Sequence, residues 1–206
     1  MTGLAPMLGA VCAPLVAGLL SLWVPRGLPS VRTMVALLGP VVSVLLLLAA
    51  GISPEPVGFT FIEELRLDVT FRADALGLFF ALLVTGIGGL IVLYARGYFG
   101  TDDTSLRRFY PTLGFFATAM TGLVLADNFL LMFAFWELTS ISSFLLIGWD
   151  RENPKAVRLA MQAFVTTGLG GMALLGGLLA LGIGTDAWSF SALAMTEFGG
   201  IDSTLI

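Results

Sequence analysis

The sequence predicts an all-α polytopic membrane protein: six transmembrane helices, both termini outside, and a β-hairpin-like external loop between helices 2 and 3. Three observations predict it. Hydrophobic residues make up 57% of the 206 and charged residues only 12%, where a soluble domain carries about 25%. Mean hydropathy is +0.97. The charges also cluster, leaving charge-free runs at 1–25, Thr33–Pro54, Ala75–Ala95, Phe109–Ala126 and Leu159–Thr185. A helix needs about 20 apolar residues to cross the hydrocarbon, and each run approaches that length.

Taken in order, the spans are predicted at about 4–24, 31–52, 75–95, 109–126, 129–149 and 156–183, a bundle within residues 1–185. The first opens without a basic segment and stays apolar too long for a cleaved signal. Pro14 and Pro40 lie inside the first two and each removes a backbone donor. Between the second and third, Leu65, Leu67, Val69 and Phe71 alternate with Arg66, Asp68, Thr70 and Arg72. Such period-two alternation marks a half-buried strand, and Phe59-Thr60-Phe61 is placed to pair back across Glu63-Glu64. An irregular loop is the alternative. Arg72 and Asp74, at the start of the third span, read as a surface ion pair. Ala81, Thr85 and Gly89 on the third span, and Ala173 and Gly177 on the sixth, form small-residue ladders suited to close helix packing. Asp127-Asn128 joins the fourth and fifth spans as a turn and N-cap. The stretch 186–206 mixes Trp188, Phe190, Leu193, Met195 and Phe198 with polar residues and reads as an external interfacial tail, not a seventh span.

Orientation follows the basic residues, which are retained on the cytoplasmic side. Arg26, Arg32, Arg96, Arg107, Arg108, Arg151, Lys155 and Arg158 fall on one face, and only Arg66 and Arg72 on the other. Most acids, among them Glu55, Glu63, Glu64, Asp68, Asp127, Asp186, Glu197 and Asp202, then lie outside.

Composition also excludes functions. There is no histidine and one cysteine, Cys12, so neither a Ser-His or Cys-His constellation, nor a Cys-based metal site, nor an internal disulfide can form. Net charge is −4 with no basic stripe, which argues against nucleic acid as a partner. No cofactor and no metal are expected, and the lipid bilayer is the first partner.

Glu137 is the expensive residue. It is the only charge in the run Phe129–Trp149 and lies eight residues past Phe129, about 12 Å into the helix and near the bilayer midplane. An acid there costs roughly 2.5–3.5 kcal/mol to insert in ionised form. It escapes that cost by taking up a proton, pairing with a cation or lining a wet cavity, and each escape suits a proton relay. A structural ion pair with a neighbouring helix is the alternative. Thr139, Ser140, Ser142 and Ser143 follow at once, with Ser140 on the glutamate's face at i+3. Thr139 and Ser140 are therefore candidate relay support, unless their hydroxyls bond back to their own helix. Gln162, one turn inward from Arg158, is a third candidate. Lys155 and Arg158 are accounted for by topology and snorkelling.

The stretch from Asp127 to Gly148, and within it Phe135-Trp136-Glu137-Leu138-Thr139-Ser140-Ile141-Ser142-Ser143-Phe144-Leu145-Leu146-Ile147, resembles the fifth helix of the antiporter-like membrane subunits. That family includes the large subunits of respiratory complex I and the multisubunit Mrp-type antiporters. Arg72-Ala73-Asp74-Ala75-Leu76 and Tyr94-Ala95-Arg96-Gly97-Tyr98 also fit it. Complex I relatives typically carry Val-Thr-Arg-Val-Gly-Asp on the sixth helix. Here Val165-Thr166-Thr167-Gly168-Leu169-Gly170-Gly171 has no acid, which is more similar to the Mrp A subunits.

The resemblance implies a subunit of a multisubunit Na+/H+ antiporter in the bacterial plasma membrane, a secondary transporter driven by the proton gradient and not an enzyme. It implies that Glu137 is a proton-relay acid working with other subunits and with a lysine supplied by a later helix or a neighbouring subunit. Na+ and H+ would be the transported ions. The family's seventh helix, with its lysine, would begin after Ile206, so the expectation is an N-terminal six-helix piece whose tail leads to that missing helix. A proton-pumping subunit of complex I or of a membrane hydrogenase is the alternative within the family, and a non-transporting scaffold the alternative outside it.

Overall fold

The structure, a computed structural model, describes residues 3–100 and 102–196. The helices are α1 (Leu4–Leu20), α2 (Pro29–Ala50), α3 (Ala75–Phe99), α4 (Asp103–Leu125), α5 (Phe129–Ile147), α6 (Pro154–Thr185) and the short α7 (Phe190–Met195). Two strands, β1 (Ser53–Ile62) and β2 (Leu67–Ala73), stand between α2 and α3. Glu197, Phe198 and Asp202 of the predicted tail lie outside the described residues.

Local chemistry explains the helix starts. Asp74 caps α3 by accepting from Gly77 N at 2.7 Å, and Asn128 caps α5 by accepting from Leu130 N and Leu131 N. Asn153 caps α6 and is followed by proline at N1, where a missing N–H costs nothing. α1 tightens into a 3₁₀ turn at Ser21–Trp23, so its α-helical part stops short of residue 24. α4 begins at Asp103 because Asp102 accepts from Thr104 N and Ser105 N. The start lies upstream of the charge-free run because a cap, not hydropathy, sets a helix end. Five of the six long helices, all but α4, are long and apolar enough to cross a membrane. α4 carries Asp103, Arg107 and Arg108 in its first turns yet buries ten residues, more than any other helix described.

α1 packs on α2 and α4, α3 on α2 and α4, α5 on α4, and α6 chiefly on α5. Pro14 organises the centre. It has no N–H, so the Ala10 carbonyl one turn earlier loses its helical donor. The Ser43 hydroxyl of α2, fully buried, donates to that carbonyl instead. The neighbouring Leu15 N–H donates across to Thr118 of α4 at 3.1 Å. A Cβ on Gly39 would stand 2.8 Å from the Ala13 carbonyl and the Pro14 Cα, so α2 crosses α1 only because glycine is there. Ala81, Thr85 and Gly89 form a buried face of α3, with Gly89 against Pro40 of α2. The second ladder behaves differently: Ala173 and Gly177 face outward, away from the described helices.

The connections alternate between two ends. At one, the α1–α2 and α3–α4 loops are tied by Arg32 and Asp103, and Trp149 packs tilted against Phe99 and edge-to-face with Phe109. At the other, β1 and β2 pair antiparallel with Phe59 opposite Val69 and Thr60 opposite Asp68. The alternation of β2 therefore does make a hairpin, with a longer β1 than the Phe59-Thr60-Phe61 core. β2 continues into a bridge from Phe71 to Ala126, and Asn128 bridges to Ser189. The hairpin, the α4–α5 turn and the segment after α6 thus share one main-chain network.

Candidate functional site

Glu137 is the ninth residue of the nineteen in α5. Phe135, two residues earlier, faces α4: a Cβ on Gly122 would collide with its ring. Trp136 and Glu137 face α6 instead, where both pack against Gly171. A Cβ on Gly171 would overlap Glu137 Oε1 and stand 3.3 Å from Trp136 Nε1. Both atoms are buried and lack a hydrogen-bond partner among the described residues. A buried acceptor and a buried donor thus flank one glycine midway through a paired helix hairpin, with neither satisfied. Leaving each polar group so costs about 1–3 kcal/mol, which a fold sustains where something else completes the site.

The structure sorts the predicted support residues. Thr139 Oγ1 and Ser140 Oγ both donate to the Trp136 carbonyl, at 2.7 and 3.2 Å, and Ser142 Oγ donates to the Leu138 carbonyl at 2.8 Å. These hydroxyls are committed to their own helix. Gln162 is exposed on α6 and precedes Gly171 by nine residues, about 13 Å along the axis, so it is not brought to Glu137. Lys155, the sole lysine of the chain, precedes Gly171 by sixteen residues, about 24 Å along α6. None of the ion pairs among the described residues includes Glu137.

Two residues of the site were missed by sequence reasoning, Trp136 and Gly171. The adjacent Gly170-Gly171 in an apolar span was the available signal, since side chains are missing where backbones or polar groups approach closely.

Two other polar centres brace the ends. Arg32 is fully buried; its Nε and Nη2 donate to the two carboxylate oxygens of Asp103 at 2.8 and 3.0 Å. Its remaining donors go to the Ser21, Val24 and Pro25 carbonyls. The guanidinium hydrogen bond holds the Asp103 carboxyl below its ordinary range. At the hairpin end, Asp127 is buried, accepts from Ser191 N at 3.1 Å and from the Ser191 hydroxyl, and forms an ion pair with Arg72 Nε at 3.5 Å. Asn128 is the N-cap, and its side-chain amide also donates to the Arg66 carbonyl at 2.9 Å. Arg72 pairs with Asp74 at 3.2 Å as well, so that pair is part of a bridge to the α4–α5 turn.

Long apolar helices packed side by side, one of them carrying at mid-helix an acid with a buried oxygen that has no partner among the described residues, define the class as a polytopic membrane protein. Its relatives are specific. Residues 59–110 match the family described as NADH-ubiquinone oxidoreductase (complex I), chain 5 N-terminus, and residues 126–206 match that described as NADH:quinone oxidoreductase/Mrp antiporter, transmembrane. The chain belongs to this family of antiporter-like membrane subunits. It is 47% identical over 116 residues to the Na(+)/H(+) antiporter subunit A1 of Staphylococcus aureus strains JH9 and Newman, an alignment covering 56% of this chain and 14% of theirs. It therefore spans about a seventh of the length of these curated relatives. A chain in the structure of the Mrp complex from Dietzia sp. DQ12-45-1b superposes with a TM-score of 0.77 at 24% identity, over 93% of this chain and 20% of that one. A chain of the archaeal membrane-bound sulfane sulfur reductase superposes with a TM-score of 0.71 at 19% identity, over 90% and 29%. These two likenesses are of fold.

Proposed function

We propose that this bundle is part of a multisubunit Na+/H+ antiporter of the bacterial plasma membrane and that Glu137 is a protonatable group of its intramembrane relay. The observation that carries the reading is the buried Oε1 of Glu137, unpartnered beside Gly171. An acid so placed in an apolar span is costly unless a proton, a cation or water completes it, which suits a relay position. The chain's own lysine is too far along α6 to act, so the amine that resets Glu137 comes from a later helix or a neighbouring subunit. The exposed outer surfaces of α5 and α6 leave it a path of approach. Sodium would leave as protons enter, driven by the proton gradient, with both termini of the bundle outside and its arginine-rich end in the cytoplasm. Thr139, Ser140 and Gln162 take no direct part in this scheme, since their side chains are bonded along α5 or lie away from it.

The test is Glu137→Ala in the full complex. Sodium-dependent pH changes in inverted vesicles should disappear while the complex still assembles. Normal pH changes would overturn the proposal. The second reading, a pumping subunit of a redox complex, draws on the complex I description of the residues 59–110 match. It predicts iron–sulfur or flavin subunits purifying with the full-length protein.

A further inference from the structure

A groove at the arginine-rich end has no role in the scheme above. It lies between the start of α4, the end of α5 and the loop after it, and encloses about 350 Å³. Arg107, Arg108 and Arg151 line it, with Thr104, Trp149 and Leu145 among the other residues. None of the ion pairs among the described residues involves these three arginines. The acid closest in sequence to Arg107 and facing the bundle, Asp103, is already held by Arg32 at 2.8 Å, and Asp102 is occupied in capping α4. Asp150 and Glu152 flank Arg151 and are exposed. Arg108 lies over the Trp149 ring at 5.0 Å, which fixes one guanidinium at the groove wall.

We infer that this groove binds the phosphate of an anionic phospholipid from the surrounding leaflet. Three guanidinium groups without a paired acid converge on one cavity, and guanidinium forks match phosphate oxygens in pairs. The rest of the wall sets Leu22, Pro111, Leu145 and the Trp149 ring beside Thr104 and Thr112, and its apolar part is suited to glycerol and the first acyl carbons. A free anion would use the arginines and leave that apolar wall in contact with water. A zwitterionic headgroup would bring an ammonium into a site that already carries three positive charges. Basic pockets between helices at a membrane face are where acidic headgroups settle. The inference is independent of Glu137.

The test uses the full-length protein in its assembled complex, stripped of lipid in detergent and offered phosphatidylglycerol or phosphatidylcholine. Lipid retained after washing is counted by native mass spectrometry, and each variant is compared with the wild type. Wild type should retain phosphatidylglycerol over phosphatidylcholine. Arg108→Gln and Arg151→Gln should each weaken that retention about fivefold, as expected for one basic side chain at a lipid surface. Arg108→Lys should retain more than Arg108→Gln but less than the wild type, since it keeps the charge and loses the fork, and millimolar inorganic phosphate should not displace the lipid. Equal retention of the two lipids overturns the inference. So does unchanged retention in the Arg108→Gln, Arg151→Gln double variant, both positions being exposed. Displacement by inorganic phosphate would make the groove a free-anion site, and a cross-link from position 108 to another subunit would make it a protein interface; either overturns it.

Discussion

Glu137 and Gly171 form a pair whose meaning lies in what neither has. The acid has no partner for Oε1 among the described residues, and the glycine has no side chain to push the acid away. Gly171→Ala is therefore a sharp probe. Alanine favours a helix interior by about 1 kcal/mol, so propensity alone predicts a slightly more stable α6. The added Cβ would displace the Glu137 carboxyl. Antiport in vesicles should fall sharply while thermal unfolding of the complex in detergent moves little. At the arginine-rich end, Asp103→Asn would leave the Arg32 charge buried without its counter-ion, at a cost of about 3 kcal/mol, read as a lower unfolding temperature. The pH dependence has a definite sign. Because the folded state holds the Asp103 carboxyl below its ordinary range, its contribution is complete above the unfolded carboxylate's titration. That contribution is lost as pH falls through the lower folded value. The wild type should lose stability across that acidic window, and Asp103→Asn should show a flatter profile there.

Helices and strands were largely legible in the sequence because hydropathy and alternation report burial directly. The β2 alternation from Leu67 to Phe71 became a strand with Phe71 buried, and the Asp127-Asn128 turn became a cap with its acid turned inward. The start of α4 was not legible from charge-free length, because Asp102 supplies a cap upstream of two arginines. The pairing of Ser43 with the Ala10 carbonyl was hidden for a different reason: it joins two helices, and only the carbonyl freed by Pro14 shows where a hydroxyl is wanted. Ser43→Ala should destabilise the bundle by about 1 kcal/mol, while Ser30→Ala, on an exposed turn of α2, stays within error in the same unfolding measurement. The Glu137 position was legible from insertion cost alone, but its Gly171 wall was not, since α6 could have met α5 through any of several faces.

The bundle as a whole is closed at one end and open along one side. α1 to α4 form a mutually packed core, while α6 rests chiefly on α5 and exposes most of its length. The hairpin end is stitched by the main-chain bridges from Phe71 to Ala126 and from Asn128 to Ser189, with Asp127 at the junction. Asp127→Ala should free the segment after α6, and amide hydrogen exchange at Phe190 and Ser191 should quicken at least about tenfold, because both hydrogen bonds from Ser191 to the carboxylate are lost. Unchanged exchange would mean that the segment is held by packing of Phe190 on Phe129 instead. The most direct test of the central claim is difference infrared spectroscopy of the full complex as sodium is added, comparing wild type with Glu137→Gln. A carboxyl band that changes with sodium in the wild type and vanishes in the variant, together with loss of antiport, is the predicted result. Identical spectra and undiminished antiport in Glu137→Gln would contradict it.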